Sequence, residues 1–249
     1  MFVRTIETRA EALRLVTAGL KNCEIARRLD VPRTTIRDWR RPRYVPKRPV
    51  DSSCPLCGAR SRPIVLEAER YAELLGLYLG DGHISNHARS QRLRLFLDAK
   101  YPRIVDDAEA ILRATLPFNR VGRIAAEEGR MTIVWAYSAH LTCLFPQHGQ
   151  GKKHERPITL EPWQGALVDA APWAFLRGCV RSDGCVFINR TGPYEYLSYD
   201  FSNHSEDILG LFERTCLALG LHPRRTPRRI RLNRREDVAR LVEHVGRKA

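Results

Sequence analysis

The sequence predicts an α+β protein in which two similar halves follow a small all-α module. Three observations predict this class. Two stretches, residues 74–82 and 176–184, each carry two small residues four positions apart and end in Asp-Gly. After each stretch, the same order of strand and helix patterns recurs, which indicates an internal repeat. The first 41 residues contain only short amphipathic helix patterns.

The distribution of charge favours a polyanionic partner. The chain of 249 residues carries a net charge of +14. Residues 1–70 hold 16 Lys and Arg against 8 Asp and Glu, residues 221–249 hold 10 against 3, and the body between them is nearly neutral. Positive charge concentrated at the two ends suits double-stranded DNA. We expect no membrane association, because no apolar run approaches the roughly 20 residues of a membrane span.

The N-terminus lacks the apolar region of a signal peptide, so we expect a cytoplasmic protein. With DNA as its expected partner, we expect it to be bacterial and associated with the nucleoid. The seven cysteines are an odd number, and disulfides are not expected in that compartment.

Residues 1–41 are predicted to form a helix-turn-helix module, with helices near residues 8–17, 24–29 and 33–40. Asn22 is the expected N-cap of the second helix. The stretch NCEIARRLDVPRTTIRDW resembles the helix-turn-helix of phage, resolvase and sigma-factor proteins. That resemblance implies that the third helix enters the major groove. The candidate DNA contacts are Arg33, Thr34, Thr35 and Arg37. The alternative is a small helical bundle that binds another protein.

Residues 42–63 are predicted to be a basic, proline-rich linker that ends in a CxxC knuckle. Arg41 and Arg43 are expected to contact DNA phosphates. Cys54 and Cys57 have the spacing of half a zinc site, but no second CxxC follows. The expected completing ligands are Cys143, His148 and His154. Without them, the pair would be two reduced thiols in a turn.

The two repeated stretches are predicted to be helices that pack on their small faces. Gly76 and Gly80 share one face of the first helix, and Gly178 and Ser182 share one face of the second. Such packing would bring the terminal carboxylates, Asp81 and Asp183, together at the same end of the helix pair.

The stretches LLGLYLGDG and LRGCVRSDG resemble the paired signature of the LAGLIDADG family, best known for homing endonucleases. The resemblance implies two pseudo-two-fold αββαββα units over residues 64–249, as halves 64–145 and 172–249 with a connector at 146–171. One chain would then suffice, so a monomer is expected. The resemblance also implies that Asp81 and Asp183 bind catalytic Mg²⁺. Lys152 and Lys153 are the candidates for organising the attacking water, or else for a phosphate-binding loop.

Each half is expected to present an antiparallel sheet to DNA, with long polar side chains at alternate positions. The alternative is that these are solvated sheet faces. The main candidate contacts in the two halves are Arg92, Arg94, Arg123, Arg224, Arg228, Arg229 and Arg231.

Two positions depart from the family pattern, Leu79 in the first stretch and Arg181 in the second, and Arg181 is expected to compete with metal for Asp183. The predicted function is sequence-specific DNA binding with Mg²⁺-dependent phosphodiester hydrolysis. The alternatives are a DNA-binding regulator of the WhiA type, which keeps the fold without cleavage, and an RNA-splicing maturase.

Overall fold

The computed structural model describes residues 6–40, 52–88 and 90–248 of the chain. Contacts divide the protein into two units, Met1–Val50 and Asp51–Ala249. Arg41 and Arg43, the predicted phosphate contacts of the linker, lie outside the described residues. Within the described segments, no helix combines the length and apolar character needed to cross a bilayer.

The N-terminal unit consists of three short helices, α1 (Ile6–Thr17), α2 (Asn22–Leu29) and α3 (Arg33–Trp39). The turn between α2 and α3 places Asp30 in the left-handed region, with a φ of 48°. Buried apolar side chains from all three helices and this turn form one small core: Ala12, Leu15, Ile25, Val31, Ile36 and Trp39. The predicted helix-turn-helix arrangement is therefore confirmed.

The predicted N-cap role of Asn22 is wrong. Lys21 occupies the N-cap position of α2 and makes no side-chain capping hydrogen bond. Asn22 lies inside the helix, and its amide oxygen accepts a hydrogen bond of 3.0 Å from the Arg40 guanidinium. This bond ties the start of α2 to the end of α3.

The second unit contains two successive sets of one long helix, a strand pair, a second helix and another strand pair. The first set comprises α4 (Ala68–Asp81), β1 (Gly82–His87), β2 (Ser90–Asp98), α5 (Pro102–Thr115), β3 (Val121–Ala126), β4 (Met131–Ser138) and α6 (Leu141–Leu144). After α7 (Pro162–Ala170), the second set comprises α8 (Pro172–Asp183), β5 (Gly184–Thr191), β6 (Tyr194–Ser202), α9 (Glu206–Ala218), β7 (Arg224–Thr226), β8 (Arg229–Leu232) and α10 (Arg235–His244).

Each set of strands forms a four-stranded antiparallel sheet, with the orders β1-β2-β4-β3 and β5-β6-β8-β7. In β2, Leu93, Leu95 and Leu97 are buried, whereas the intervening side chains point away from the core. The predicted α+β class with repeated halves is confirmed. Helix α4 begins at Ala68, capped by the Glu67 carboxylate, and the connector between the halves contains α7.

The backbones of α4 and α8 approach so closely that glycine is required at the crossing. A Cβ on Gly76 would lie 2.6 Å from the carbonyl oxygen of Phe175. A Cβ on Gly178 would lie 3.0 Å from the Cα of Gly76. Gly80 faces Ser182, whose hydroxyl donates a 3.0 Å hydrogen bond to the Gly178 carbonyl within its own helix. The structure thus brings all four predicted interface residues together.

A buried ion-pair network crosses the same interface. Glu73 of α4 is only 5% exposed, and its carboxylate accepts from the guanidinium groups of Arg177 and Arg181 of α8. Arg181 also pairs with Asp107 at 2.8 Å. The expectation that Arg181 competes for Asp183 is therefore wrong, because its guanidinium is bound to Glu73 and Asp107.

Gly178→Ala should destabilise the protein by about 2–4 kcal/mol, because the new methyl group has no space at the helix crossing. Gly165→Ala is the matched control: Gly165 also lies in a helix, but a Cβ there meets nothing within 4 Å. That control should be neutral or stabilising by up to about 1 kcal/mol. Urea denaturation measures both. Equal effects would contradict the close backbone contact.

Candidate functional site

The two aspartates predicted to bind metal end the two crossing helices. Asp81 is the last residue of α4 and Asp183 the last residue of α8, and a strand begins directly after each. Burial, together with the negative charge of Asp183, raises the pKa of Asp81 to about 7. Burial also raises the pKa of Asp183. The helix crossing therefore brings two half-buried carboxyl groups close enough to repel each other.

Each helix end is capped by a lysine from elsewhere in the chain. The Lys153 ammonium donates to the carbonyls of Tyr78, Leu79 and Gly80 at the end of α4. The Lys248 ammonium donates to the Ser182 carbonyl at 2.7 Å and the Gly184 carbonyl at 3.2 Å. Both positive charges lower the pKa of both aspartates. Cations at helix C-termini also offset the negative end of the helix dipole.

Two clefts flank the helix pair, and each combines groups from both halves. One cleft is lined by Asp183 and Asn203 of the second half together with Lys153, which follows the first half. The other is lined by Asp81 and the end of β2 together with Lys248, which follows the second half. The pseudo-two-fold relation therefore produces two similar clefts, each with one of the two helix-end aspartates and one of the two capping lysines.

The two clefts differ in the residue at one corresponding position, Leu97 at the end of β2 in one cleft and Asn203 directly after β6 in the other. Gly82 pairs with Leu95 and Gly184 pairs with Phe201, so the residues two further along, Leu97 and Asn203, correspond. The Asn203 amide donates a 2.6 Å hydrogen bond to Asp183 Oδ2, which lowers the pKa of Asp183 against the effect of burial. Leu97 is buried and has no polar group to offer Asp81.

Of the two lysines predicted from sequence, only Lys153 reaches the helix ends. Lys152 is exposed and lies 3.9 Å from the Glu155 carboxylate, although it lines the rim of the same cleft. Sequence reasoning missed Lys248 and Asn203. The signal for Lys248 was the repeat itself, because a lysine following the end of one half has its counterpart after the end of the other.

The outward face of the first sheet is basic and aromatic. The Arg92 guanidinium lies 5.5 Å from the ring centroid of Trp135 and 5.6 Å from that of Tyr137. Arg94 donates toward His83 Nδ1 at 3.1 Å. Arginine planes and aromatic rings on one exposed face are suited to contacts with nucleic acid.

Arg123, predicted for the same face, lies on the opposite one. Its guanidinium binds Asp106 at 2.8 Å and Glu109 at 2.6 Å, both on α5. The prediction that Arg123 contacts DNA is therefore wrong. Arg225 in the second half is placed similarly, because it binds Glu206 and Glu213 of α9.

The predicted arginines of the second sheet fall into two groups. Arg231 makes a two-point ion pair with Asp200, with distances of 2.7 and 2.9 Å, and Arg229 lies 3.4 Å from the same carboxylate. Arg224 and Arg228 are exposed and form no ion pair within the described part of the chain. The charges of Arg224 and Arg228 are therefore available to a ligand.

The third helix of the N-terminal unit presents a polar surface. Arg33, Thr34 and Arg37 are exposed, whereas Thr35 is half-buried. Arg37 lies 3.8 Å from the Asp38 carboxylate, a weak surface pair. The predicted base and phosphate contacts thus lie on α3, whose apolar residues face the small core.

Cys54 and Cys57 lie beside His140 and Cys143. Of the predicted completing ligands, Cys143 is in this cluster and the histidines are not. His148 lines the cleft that contains Lys153, and the His154 ring packs 5.4 Å from that of His204. The member of this cluster that was not predicted is His140, and its His-x-x-Cys spacing to Cys143 was the available signal.

Comparison with known proteins gives one family match and several similar structures. The family described as Homeodomain-like domain matches residues 4–42. No curated protein matches the chain. The N-terminal LAGLIDADG domain of DUF199/WhiA is 16% identical, with a TM-score of 0.48, over 74% of this chain and 86% of that chain. Full-length DUF199/WhiA from Thermatoga maritima has the same identity and TM-score, with 57% of its chain covered.

The homing endonuclease I-DmoI in complex with DNA and Mn is 12% identical, with a TM-score of 0.48, over 72% of this chain and 97% of that chain. These structures contain LAGLIDADG folds, the family that the paired motifs resemble. At such identities the likeness concerns the fold alone and carries no information about activity.

Asp81→Asn should stabilise the metal-free protein, because it removes one of two neighbouring buried charges. With a pKa of about 7, the folded chain retains a proton between about pH 4 and 7 that the unfolded chain has released, so wild-type stability falls as pH rises through this window. We expect the variant to exceed the wild type by about 2–4 kcal/mol at about pH 8, with a smaller difference near pH 5.

Denaturation in EDTA at both pH values measures this difference. Asp169→Asn, on the exposed face of α7, is the control for the same substitution at a solvent-exposed position. A difference for Asp81→Asn that stays constant with pH would contradict the proximity of the two carboxylates.

Proposed function

We propose that this protein binds a specific double-stranded DNA sequence and hydrolyses phosphodiester bonds there with the help of a divalent cation. The observation that carries the proposal is the pair of like-charged, half-buried carboxylates at the end of the α4 and α8 crossing. Packing alone does not favour this pair, since each charge raises the cost of the other. A bound cation removes that cost and gives the aspartates a chemical role.

The donor set fits Mg²⁺. Asp81 and Asp183 offer only carboxylate oxygens, the donors that hard divalent cations prefer. They would hold the ion, and a bound Mg²⁺ supplies an activated water and stabilises charge on the phosphate and leaving oxygen. We infer the metal from these residues and from the repulsion that they otherwise suffer.

The surrounding side chains prepare the clefts for a phosphate. Lys153 and Lys248 hold a positive charge beside each carboxylate, anchored by the backbone carbonyls of the helix ends. Such preorganised charge attracts the DNA backbone and stabilises the additional negative charge of the reaction. The Asn203 amide holds Asp183 in one orientation through its hydrogen bond to Oδ2. In the other cleft, the side chain of Leu97 leaves Asp81 without that restraint.

The DNA would lie across the outward faces of the two sheets, with the helix-turn-helix unit lengthening the recognised site. Two observations support this placement. Arg224 and Arg228 are exposed and form no ion pair within the described residues. Arg92 and Arg94 lie on the outward face of the first sheet together with aromatic rings. One chain supplies both halves, so we propose a monomer. Because the proposed ligand is chromosomal DNA, we also propose a location in the bacterial cytoplasm.

A second function deserves testing because the N-terminal unit has its own core and its own polar helix face. Such a unit binds DNA whether or not the aspartates act. The protein would then be a DNA-binding regulator that does not cleave. The two functions differ in one measurable respect, the appearance of nicks or breaks in bound DNA.

The purified full chain with Mg²⁺ should cleave a duplex that spans the sequences flanking its own coding region. Asp81→Asn and Asp183→Asn should each abolish double-strand cleavage and leave the binding constant within about threefold. Gel electrophoresis detects cleavage, and a mobility shift measures binding. Tight binding by the wild type without any nick, in Mg²⁺ or Mn²⁺, would favour the regulator.

Neighbouring arginines on opposite faces of the second sheet should differ in their effect on DNA affinity. Arg224→Ala should weaken binding about three- to tenfold, because one phosphate contact is lost. The slope of the logarithm of the binding constant against the logarithm of salt concentration should decrease in magnitude by about one. Arg225→Ala is the matched control, since its guanidinium is bound to Glu206 and Glu213 on the helix side. Fluorescence anisotropy over a salt series measures both. Equal loss in the two variants would place DNA elsewhere.

A further inference from the structure

Three thiols and one imidazole converge at one point of the second unit, and none of them lines either of the two clefts beside the aspartates. The ligand atoms of Cys54, Cys57, His140 and Cys143 all lie within 4.8 Å of one another. His140 Nδ1 lies 3.5 Å from Cys57 Sγ and 3.8 Å from Cys143 Sγ. Zinc bound at about 2.0–2.3 Å by nitrogen and sulfur places tetrahedral ligands about 3.3–3.8 Å apart. The cluster therefore already has nearly the dimensions of a zinc site.

The backbone around the first two cysteines forms a closed turn that presents both thiols to the same side. The Cys54 amide donates to the Ala59 carbonyl at 2.8 Å, and the Gly58 amide donates to the Cys54 carbonyl at 2.9 Å. Gly58 has a φ of +73°, which side chains rarely adopt. This glycine lets the chain reverse immediately after Cys57.

The histidine is oriented by a backbone carbonyl. His140 Nε2 lies 3.2 Å from the Arg60 carbonyl oxygen, which can only accept a hydrogen bond. Nε2 must therefore carry the proton in the neutral ring, and the lone pair is on Nδ1, the nitrogen that faces the sulfurs. A carbonyl that orients a ligating histidine in this way is the usual second partner at zinc sites.

We propose that Cys54, Cys57, His140 and Cys143 bind one Zn²⁺ ion in a closed structural site. Three thiolates and one imidazole, at distances that suit tetrahedral coordination, favour zinc over the hard cations proposed for the aspartates. Four protein ligands leave no open position for water or substrate. The site is thus separate in chemistry and in purpose from the carboxylate pair.

The metal would stabilise an element that is too short to be stable by itself. Helix α6 has four residues, whereas its counterpart in the second half, α10, has ten. A single helical turn is marginal in water. His140 and Cys143 belong to this turn, and zinc would bind it to the reversed segment 54–60. The chain then runs from α6 toward Lys153, so the metal would also secure the start of the loop that supplies this lysine.

The first test is the metal content of the purified full chain. We expect about one zinc ion per chain after gel filtration, measured by inductively coupled plasma mass spectrometry. Cobalt substitution should give the intense visible bands of tetrahedral, thiolate-bound Co²⁺. Metal-free reduced thiols, a disulfide or bound iron would each overturn the proposal.

Variants assign the ligands. Cys57→Ser and Cys143→Ser should lose zinc and lower the melting temperature by roughly 10 °C. Cys23→Ser is the control, because Cys23 is an exposed thiol of the N-terminal unit, and it should retain the metal and the melting temperature. If a ligand variant does not fold, release of zinc from the wild type by a thiol-specific mercurial shows that cysteine thiolates hold the metal, and a failure to release zinc would contradict the proposal. Retention of zinc by Cys57→Ser would exclude the site, whatever the result for DNA cleavage.

Discussion

The close crossing of α4 and α8 is the constraint on which the second unit depends. Gly76 and Gly178 let the two backbones touch, and the first strand of each half, β1 or β5, begins where one of these helices ends. Because both helices end at the same side of the crossing, Asp81 and Asp183 meet there. A wider crossing, such as larger side chains would force, would separate the two carboxylates and the two sheets together. The glycines therefore control the geometry of the fold and of the candidate site at once.

The arrangement carries an electrostatic cost, and the chain offsets it in two different ways. Glu73 is buried at the interface but is neutralised by Arg177 and Arg181, so this charge is structural. Asp81 and Asp183 receive only partial compensation from Lys153 and Lys248, whose ammonium groups bind backbone carbonyls instead. Burial and the negative charge of Asp183 therefore still raise the pKa of Asp81. A carboxylate whose charge is only partly balanced, beside an open cleft, is suited to binding a ligand that balances the remaining charge.

The sequence predicted the repeat, the helix pair and the aspartates because small residues four apart and a terminal Asp-Gly reflect local geometry. It predicted less well which face of the sheet each arginine occupies. Arg123 has the spacing of a surface cation on the sheet, and only its pairing with carboxylates on α5 shows that it faces the helices. Lys248 and His140 were missed although the repeat and the His-x-x-Cys spacing pointed to them, because each reaches its partners across the fold and hydrophobic periodicity does not show such contacts.

The two halves share one topology but are stabilised differently at their ends. The second half closes with α10, whose ten residues bury Val238 and Leu241 against the core. The first half closes with the single turn of α6, which also buries two apolar residues, Leu141 and Leu144, but has only four residues. A single helical turn is marginal in water, so the end of the first half needs another source of stability. The proposed zinc ion supplies it, because metal–thiolate bonds do not require a long helix. The pseudo-symmetry that places the aspartates therefore does not extend to the way in which each half is held closed.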